Sequence, residues 1–210
     1  MESKQTTRKP KLVAIVGGSC SGKTWLATRL EEKLGHIASR LSQDDFYHDR
    51  SHLPPGRRAK LNFDHPRAID WQALEEVALG CEVGREAAVP HYDFATHARA
   101  AKPRAWTPKQ VVIMEGLWLL HRKALRKAFD FALFLDCSKE VSKERRLKRD
   151  QSERNRTPES IQEQLESTVF PMQDRFVAPQ ARWAHMVLPQ PPGDAEVEQI
   201  ANKIKQLVSF

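Results

Sequence analysis

The sequence predicts an α/β fold in which a parallel β-sheet carries helices on both faces. Three observations predict it. Short, almost wholly apolar runs recur at residues 12–16, 111–114 and 131–135, as expected of strands buried on both faces. Helically spaced segments lie between such runs, and alternating strands and helices favour a parallel sheet. The first run stops at Gly17 and Gly18, and a helical pattern opens a few residues later.

Each element has a local cause. Residues 12–16 are rich in β-branched side chains and short, which suits a strand. From residue 23 to 34, Leu26, Leu30 and Leu34 recur every fourth position, and Gly35 supplies a helix stop. A second short strand is expected at 37–41, leading into the polar stretch 42–45. Residues 48–66 hold three prolines, a glycine and many charges, which predicts an ordered loop or flap. Asp70 is placed to cap a helix carrying Trp71, Leu74, Val77 and Ala78, closed by Gly80. A short strand is expected at 89–94, then a basic, proline-bounded loop. Residues 138–149 read as a charged helix and 158–170 as another, with a last strand at 186–188. A tail helix buries Val197, Ile200, Ala201, Ile204, Leu207 and Val208.

The chain has 210 residues, 40% of them hydrophobic, enough for a core in one domain. Residues 1–10 are expected to be a flexible tail and 11–210 a single domain. No apolar stretch reaches the ~18 residues of a membrane span, and the short run after the basic N-terminus is no signal-peptide core. Cys20, Cys81 and Cys137 are few and far apart, which fits a reducing, cytoplasmic compartment and argues against structural zinc. The 34 Lys and Arg outnumber 27 Asp and Glu, a net charge of +7. Such a balance suits either nucleic acid or small anions such as nucleotide phosphates.

Residues 17–24 decide between them. Gly17, Gly18, Ser19, Cys20, Ser21, Gly22, Lys23 and Thr24 satisfy G-x-x-x-x-G-K-[ST]. The glycines let backbone N–H groups wrap a phosphate chain, Lys23 reaches the outer phosphates, and the Thr24 hydroxyl suits Mg²⁺. The helix that starts there adds its positive end. A nucleoside-triphosphate site follows. In such sheets ligands bind beyond the carboxyl ends of the strands, where Asp44, Glu115 and Asp136 fall. Glu115 suits a residue that holds Mg²⁺, directly or through water. Asp44 suits a carboxylate that accepts a proton from an attacking hydroxyl, or a helix cap shared with Asp45. Asp136 reads as a cap or turn residue. These residues alone leave a phosphotransferase or a hydrolase of undetermined acceptor.

Further motifs bring a family into view: SQDDFY at 42–47, NFDHP at 62–66, PHYDFATH at 90–97, VIMEG at 112–116, RRLKRD at 145–150, ERNR at 153–156 and Pro171-Met172. With the phosphate loop they run in order over nearly the whole chain, and together they resemble the uridine (uridine–cytidine) kinases of the P-loop kinases. The resemblance implies a P-loop-type parallel sheet flanked by helices, a nucleoside-binding flap at about 46–105 and an Arg-rich lid at about 138–160. It implies phosphorylation of the 5′-hydroxyl of uridine, and of cytidine, by ATP or GTP with Mg²⁺. It also implies small-molecule partners with no nucleic acid or membrane, and a homo-oligomer such as a homotetramer.

Carried over by position, Asp44 matches the family's base and Mg²⁺-site carboxylate, and Glu115 its acidic Mg²⁺ partner. Asp64 and Arg146 match the residues on the ribose hydroxyls. Tyr92, Phe94 and His97 match the groups around the base, with Tyr47 nearby and Gln164 on the far wall. Arg149, Arg154 and Arg156 match the lid over the triphosphate. Two positions depart: Asn155 stands where the lid usually has Gly, and Asp45 where Ser is usual. The Asp44-Asp45 pair also occurs in nicotinamide riboside kinases, so an acceptor such as nicotinamide riboside or a sugar phosphate stays open. A nucleotide-regulated nucleic-acid binder is the alternative from another class, but no helix-turn-helix, zinc-finger or RNA-binding signature accompanies it. Residues 139–156 hold eight basic against four acidic side chains, so much of the charge excess coincides with the expected lid.

Overall fold

The central strand runs from Lys11 to Gly17 (β1), and Leu12, Val13, Ala14, Ile15 and Val16 are all fully buried. In the computed structural model, which describes residues 9–58, 60–154 and 156–209 but not the side chains of Pro55, Glu153 and Arg154, β1 opens a larger architecture. The helix α1 (Lys23–Leu34) leads to β2 (Ala38–Ser42), a short α2 (Pro55–Arg58) and α3 (Trp71–Cys81). Four brief strands follow: β3 (Ala87–Val89), β4 (Tyr92–Asp93), β5 (Ala98–Arg99) and β6 (Arg104–Trp106). Then come β7 (Val111–Gly116), α4 (Lys123–Ala128), β8 (Phe131–Leu135), α5 (Lys139–Arg154), α6 (Pro158–Gln164), α7 (Phe170–Met172), β9 (Met186–Leu188) and α8 (Asp194–Ser209).

The main sheet has the order β2-β7-β1-β8-β9 and every pair in it is parallel. Alternation along β1 sends its side chains to opposite faces. Val13 and Ile15 pack with Leu26, Leu30, Ile200 and Ile204 of α1 and α8. Leu12, Ala14 and Val16 pack with Leu74, Val77 and Leu125 of α3 and α4. The expected α/β fold with a helix-covered parallel sheet is therefore the fold observed. The tail helix also buries Val197, Ile200, Ala201 and Ile204 as its spacing requires.

Other elements differ from expectation for local reasons. The strand expected at 89–94 is broken by Pro90, which has no N–H to donate. Its two halves join separate antiparallel ribbons, β3 with β6 and β4 with β5. The helix expected to end near Phe170 continues: a π-turn at Leu165–Val169, α7, a second π-turn at Gln173–Val177, and a 3₁₀ segment at Ala178–Trp183. The wider π hydrogen bonding accommodates Pro171 in mid-helix, where ordinary α-helical bonding would lose a bond and clash. The charged helix starting near 138 runs on to Arg154 rather than stopping near 149. Asp136 does not cap it: the Ser138 hydroxyl accepts from the Val141 N–H, and the Asp136 N–H goes to the Leu188 carbonyl. Neither Asp44 nor Asp45 caps the turn after β2, because Ser42 Oγ accepts from the Asp44 N–H. The first eight residues of the expected flexible tail, and Asn155, lie outside the described residues.

Candidate active site

At the carboxyl end of β1 the chain turns through the glycine-rich loop and into α1. Gly17 has no room for a side chain, since a Cβ there would lie 2.7 Å from the Leu135 carbonyl and from Ser21 Oγ. Gly22 adopts φ +98°, and a Cβ would meet Pro191 at 2.6 Å. Cys20 also takes left-handed backbone, φ +58°, an uncommon conformation for a non-glycine residue. Lys23 folds back so that its ammonium donates to the Gly18 carbonyl at 2.7 Å. Enclosure of that ammonium lowers its pKa from the ordinary lysine value, while Glu115 and Asp44 oppose the shift.

The loop floors a cleft of about 1220 Å³. Ser19, Cys20, Gly22, Lys23 and Thr24 line it, together with Asp44, Tyr47, Asp64, Phe94, His97, Glu115, Arg146, Arg149, Arg156 and Gln164. Gly17, Gly18 and Ser21 form the loop behind this lining, and Arg154 has no described side chain. Tyr92 is buried behind Tyr47 and Phe94, its ring 5.1 and 5.2 Å from theirs.

Glu115 is the penultimate residue of β7, and its neighbour across the sheet is Ser42 at the end of β2. The Ser42 hydroxyl donates to Glu115 Oε1 at 2.8 Å. Two buried glutamines, neither singled out from sequence, fix the chain after Glu115. Gln43 accepts from the Trp118 N–H at 2.9 Å, and its side chain fills the space over Gly116. Gln180 accepts from the Leu120 N–H and donates to the Leu117 carbonyl at 2.7 Å.

At the far end the rings of Tyr47, Phe63, Phe94 and His97 gather. Phe63 stacks on His97 with centroids 4.4 Å apart, and Phe94 meets Tyr47 edge-on at 5.9 Å. Tyr47 donates to the Phe63 carbonyl, and burial, aided by Asp44 and Asp64, holds its phenol well above its ordinary pKa. Tyr92 is likewise pushed up to about 12 by burial, so both phenols keep their protons. The Tyr92 hydroxyl lies 3.4 Å from His97 Nδ1. Phe63, next to Asp64 in the NFDHP motif, is a wall residue that its sequence pattern does not single out. Arg99 clamps this wall from outside, bonding the Tyr47 and Phe46 carbonyls and the Asp70 carboxylate.

The arginines converge on one fully buried carboxylate, Asp150, another residue not singled out from sequence. Arg149 reaches it at 2.8 Å, Arg146 at 3.4 Å and Arg156 at 3.7 Å. Arg146 also donates to Ser19 Oγ at 3.0 Å and to Gln164 Oε1 at 3.1 Å, and Arg156 donates to the same Gln164 oxygen. Arg146 thus ties the phosphate loop to α6. Asp45 faces away: it pairs with Arg104 at 3.3 Å and sits 3.5 Å from His91, and it does not line the cleft.

Among the described residues no helix is long and apolar enough to cross a membrane. In backbone trace the chain is similar to a possible uridine kinase from Bacillus stearothermophilus, with TM-score 0.60 and 20% identity over 87% of this chain and 90% of that one. It is similar also to a phosphoribulokinase from Rhodobacter spheroides, with TM-score 0.61 and 16% identity over 84% and 68% of the two chains. These likenesses carry the fold. In sequence it is 36% identical over 200 residues to a uridine kinase of Staphylococcus carnosus, covering 94% of this chain and 96% of the relative. A uridine kinase of Staphylococcus aureus gives the same identity over 94% and 97%. Residues 12–196 match the phosphoribulokinase/uridine kinase family. The chain belongs to that family and is a kinase of the P-loop type.

Proposed function

We propose that this protein is a uridine kinase, moving the terminal phosphoryl group of ATP or GTP to the 5′-hydroxyl of uridine, and of cytidine, in pyrimidine salvage. One observation carries the proposal: a single cleft is lined by the glycine-rich loop, by the aromatic cluster and by Asp44. In this reading the loop from Gly17 to Thr24 holds the triphosphate and the ring cluster holds the pyrimidine. Asp64 and Arg146 hold the ribose hydroxyls, the carboxylate accepting from them, with Gln164 on the far wall. Asp44 orients the 5′-hydroxyl and takes its proton late, because the transition state is loose. Lys23, Arg149, Arg154 and Arg156 balance the charge on the moving phosphoryl group. Residues 46–105 act as the nucleoside flap and 138–160 as the lid of one kinase domain, and closure excludes water.

The donor set fits Mg²⁺. Thr24, Asp44 and Glu115 offer a hydroxyl and two carboxylates, hard oxygen ligands that leave positions for water and phosphate oxygens. Bound there, the ion would supply charge neutralisation across the outer phosphates. Ser42 holds Glu115 in place for it.

Asp45 weakens the case for nicotinamide riboside, since its carboxylate is spent on Arg104 outside the cleft. A panel of uridine, cytidine, nicotinamide riboside and sugar phosphates, each with ATP and Mg²⁺, tests the proposal. Uridine and cytidine should be phosphorylated well above the rest. Phosphorylation of another acceptor with neither pyrimidine nucleoside turned over would overturn it. The proposal further includes a cytoplasmic homo-oligomer, which mass measurement in solution tests.

A further inference from the structure

The loop from Gly17 to Thr24 accounts for the phosphates of the donor, and the donor's base needs a surface of its own. The cleft lining offers one. Trp25 directly follows Thr24 in the first turn of α1, and it is 44% exposed. Trp106 and Trp118 are buried, while Trp71 and Trp183 are partly buried and pack against arginine guanidinium groups. Trp25 instead turns away from the buried Leu26, Leu30 and Leu34 stripe and lines the cleft. Arg145 lines the same cleft, its guanidinium held against the loop by donation to the Cys20 carbonyl at 3.5 Å and to Cys137 Sγ at 3.8 Å.

The direction of a bound triphosphate follows from the loop. Its outer phosphate must face Lys23 and Asp44, and its inner phosphate then lies at the α1 N-terminus, where free N–H groups point outward. The acceptor end of the cleft is already walled by Tyr47, Phe63, Phe94 and His97. The donor's nucleoside then extends beyond the inner phosphate, where Trp25 follows Thr24 in the first turn of α1. We propose that the Trp25 indole is the stacking shelf for the donor's nucleobase, with the loop-held Arg145 guanidinium as a second flat group in the same cleft. A shelf reads the π-face that all bases share and not the pattern of donors and acceptors on the edge. The chain should consequently take adenine and guanine triphosphates with similar affinity, which commits a point the phosphate loop leaves open.

This inference rests on the phosphoryl-transfer reading, and its test is a binding experiment that needs no acceptor. ATP, GTP and inorganic tripolyphosphate are titrated into the full-length protein, with indole fluorescence and calorimetry as readouts. ATP and GTP should quench the indole and tripolyphosphate should not. Trp25→Ala should weaken ATP and GTP binding roughly tenfold to a hundredfold, abolish the quench, and leave tripolyphosphate affinity within about twofold. Trp25→Phe should recover most of the ATP affinity, as a stacking role requires. Equal weakening of ATP and tripolyphosphate, or unchanged ATP affinity, would overturn the shelf alone. If the wild-type protein binds neither ATP nor tripolyphosphate, the donor site falls and the shelf with it.

Discussion

The Ser42 hydroxyl donates to Glu115 Oε1 across 2.8 Å, joining two residues that are register partners at the carboxyl ends of neighbouring parallel strands. The bond fixes which oxygen of Glu115 stays available toward the cleft. It is geometry set by the sheet itself, and it does not depend on any loop. Ser42→Ala should therefore preserve the fold while lowering turnover about tenfold and raising the Mg²⁺ concentration needed for half-maximal rate. Rate against Mg²⁺ concentration for both proteins checks this. An unchanged Mg²⁺ dependence would detach Ser42 from the metal site.

Asp44→Asn keeps shape and removes the proton acceptor. Turnover should fall by about 10²–10⁴ while ATP affinity measured by calorimetry stays near that of the parent protein. Turnover within a few-fold of the parent would take Asp44 out of the chemistry.

Lys23 should set an alkaline limit. Burial holds its pKa below the ordinary 10.5, so the free protein loses this charge at a lower pH than an exposed lysine would. Below the folded pKa the ammonium is charged in both folded and unfolded chains, and its burial costs stability. That cost is relieved as pH rises from the folded pKa toward 10.5, because there the unfolded chain binds the extra proton. A bound triphosphate supports the charge, so the alkaline limb of kcat should lie at higher pH than the limb of kcat/KM for the donor. Coincident limbs would contradict this assignment.

Much of the site was legible because it is contiguous. The phosphate loop declares itself in eight adjacent residues, and the strands beside it are apolar runs that only a doubly covered sheet can bury. Residues that act through folding were not legible. Asp150 sits in a charge run that ordinarily reads as a solvated helix face, yet the fold buries it completely beneath three arginines. Gln43 and Gln180 look like surface residues until the turn after β7 needs partners for its backbone. The helix beyond Phe170 was hidden because Pro171 signals a stop, and only π bonding lets the chain pass it.

In the proposed base pocket Phe63 lies stacked within 10° of His97. Phe63→Ala should raise the KM for uridine by roughly tenfold to a hundredfold, in line with the loss of one base–aromatic contact, while the donor KM stays within about twofold. Steady-state kinetics with each substrate varied in turn would show it. An effect on the donor alone would move Phe63 out of the nucleoside pocket.

Asp150 should matter for both stability and rate. Asp150→Asn leaves the buried Arg146 without its full counter-charge, and urea unfolding should show a loss of about 3–5 kcal/mol. The arginines that line the cleft would also lose their shared anchor, so turnover should fall below what the remaining folded fraction explains. A variant as stable and as fast as the parent would show the cluster to be inert.

The two π-turns in the long helix bear on how this chain tolerates changes of length. Each π-turn carries one more residue than an α-helical turn would, so deleting a single residue from Leu165–Val169 could be healed locally by ordinary α-helical bonding. The two flanks would keep nearly their present phase, because the wide turn and the α-helical turn that replaces it each make about one revolution. Gln164 would stay on Arg146 and Arg156, and Gln180 would keep its hold on the turn after β7. The same deletion in an ordinary α-helical turn would instead rotate the flanks by about 100° against each other. The wide turns are thus where this helix can lose a residue and still hold both glutamines on their partners.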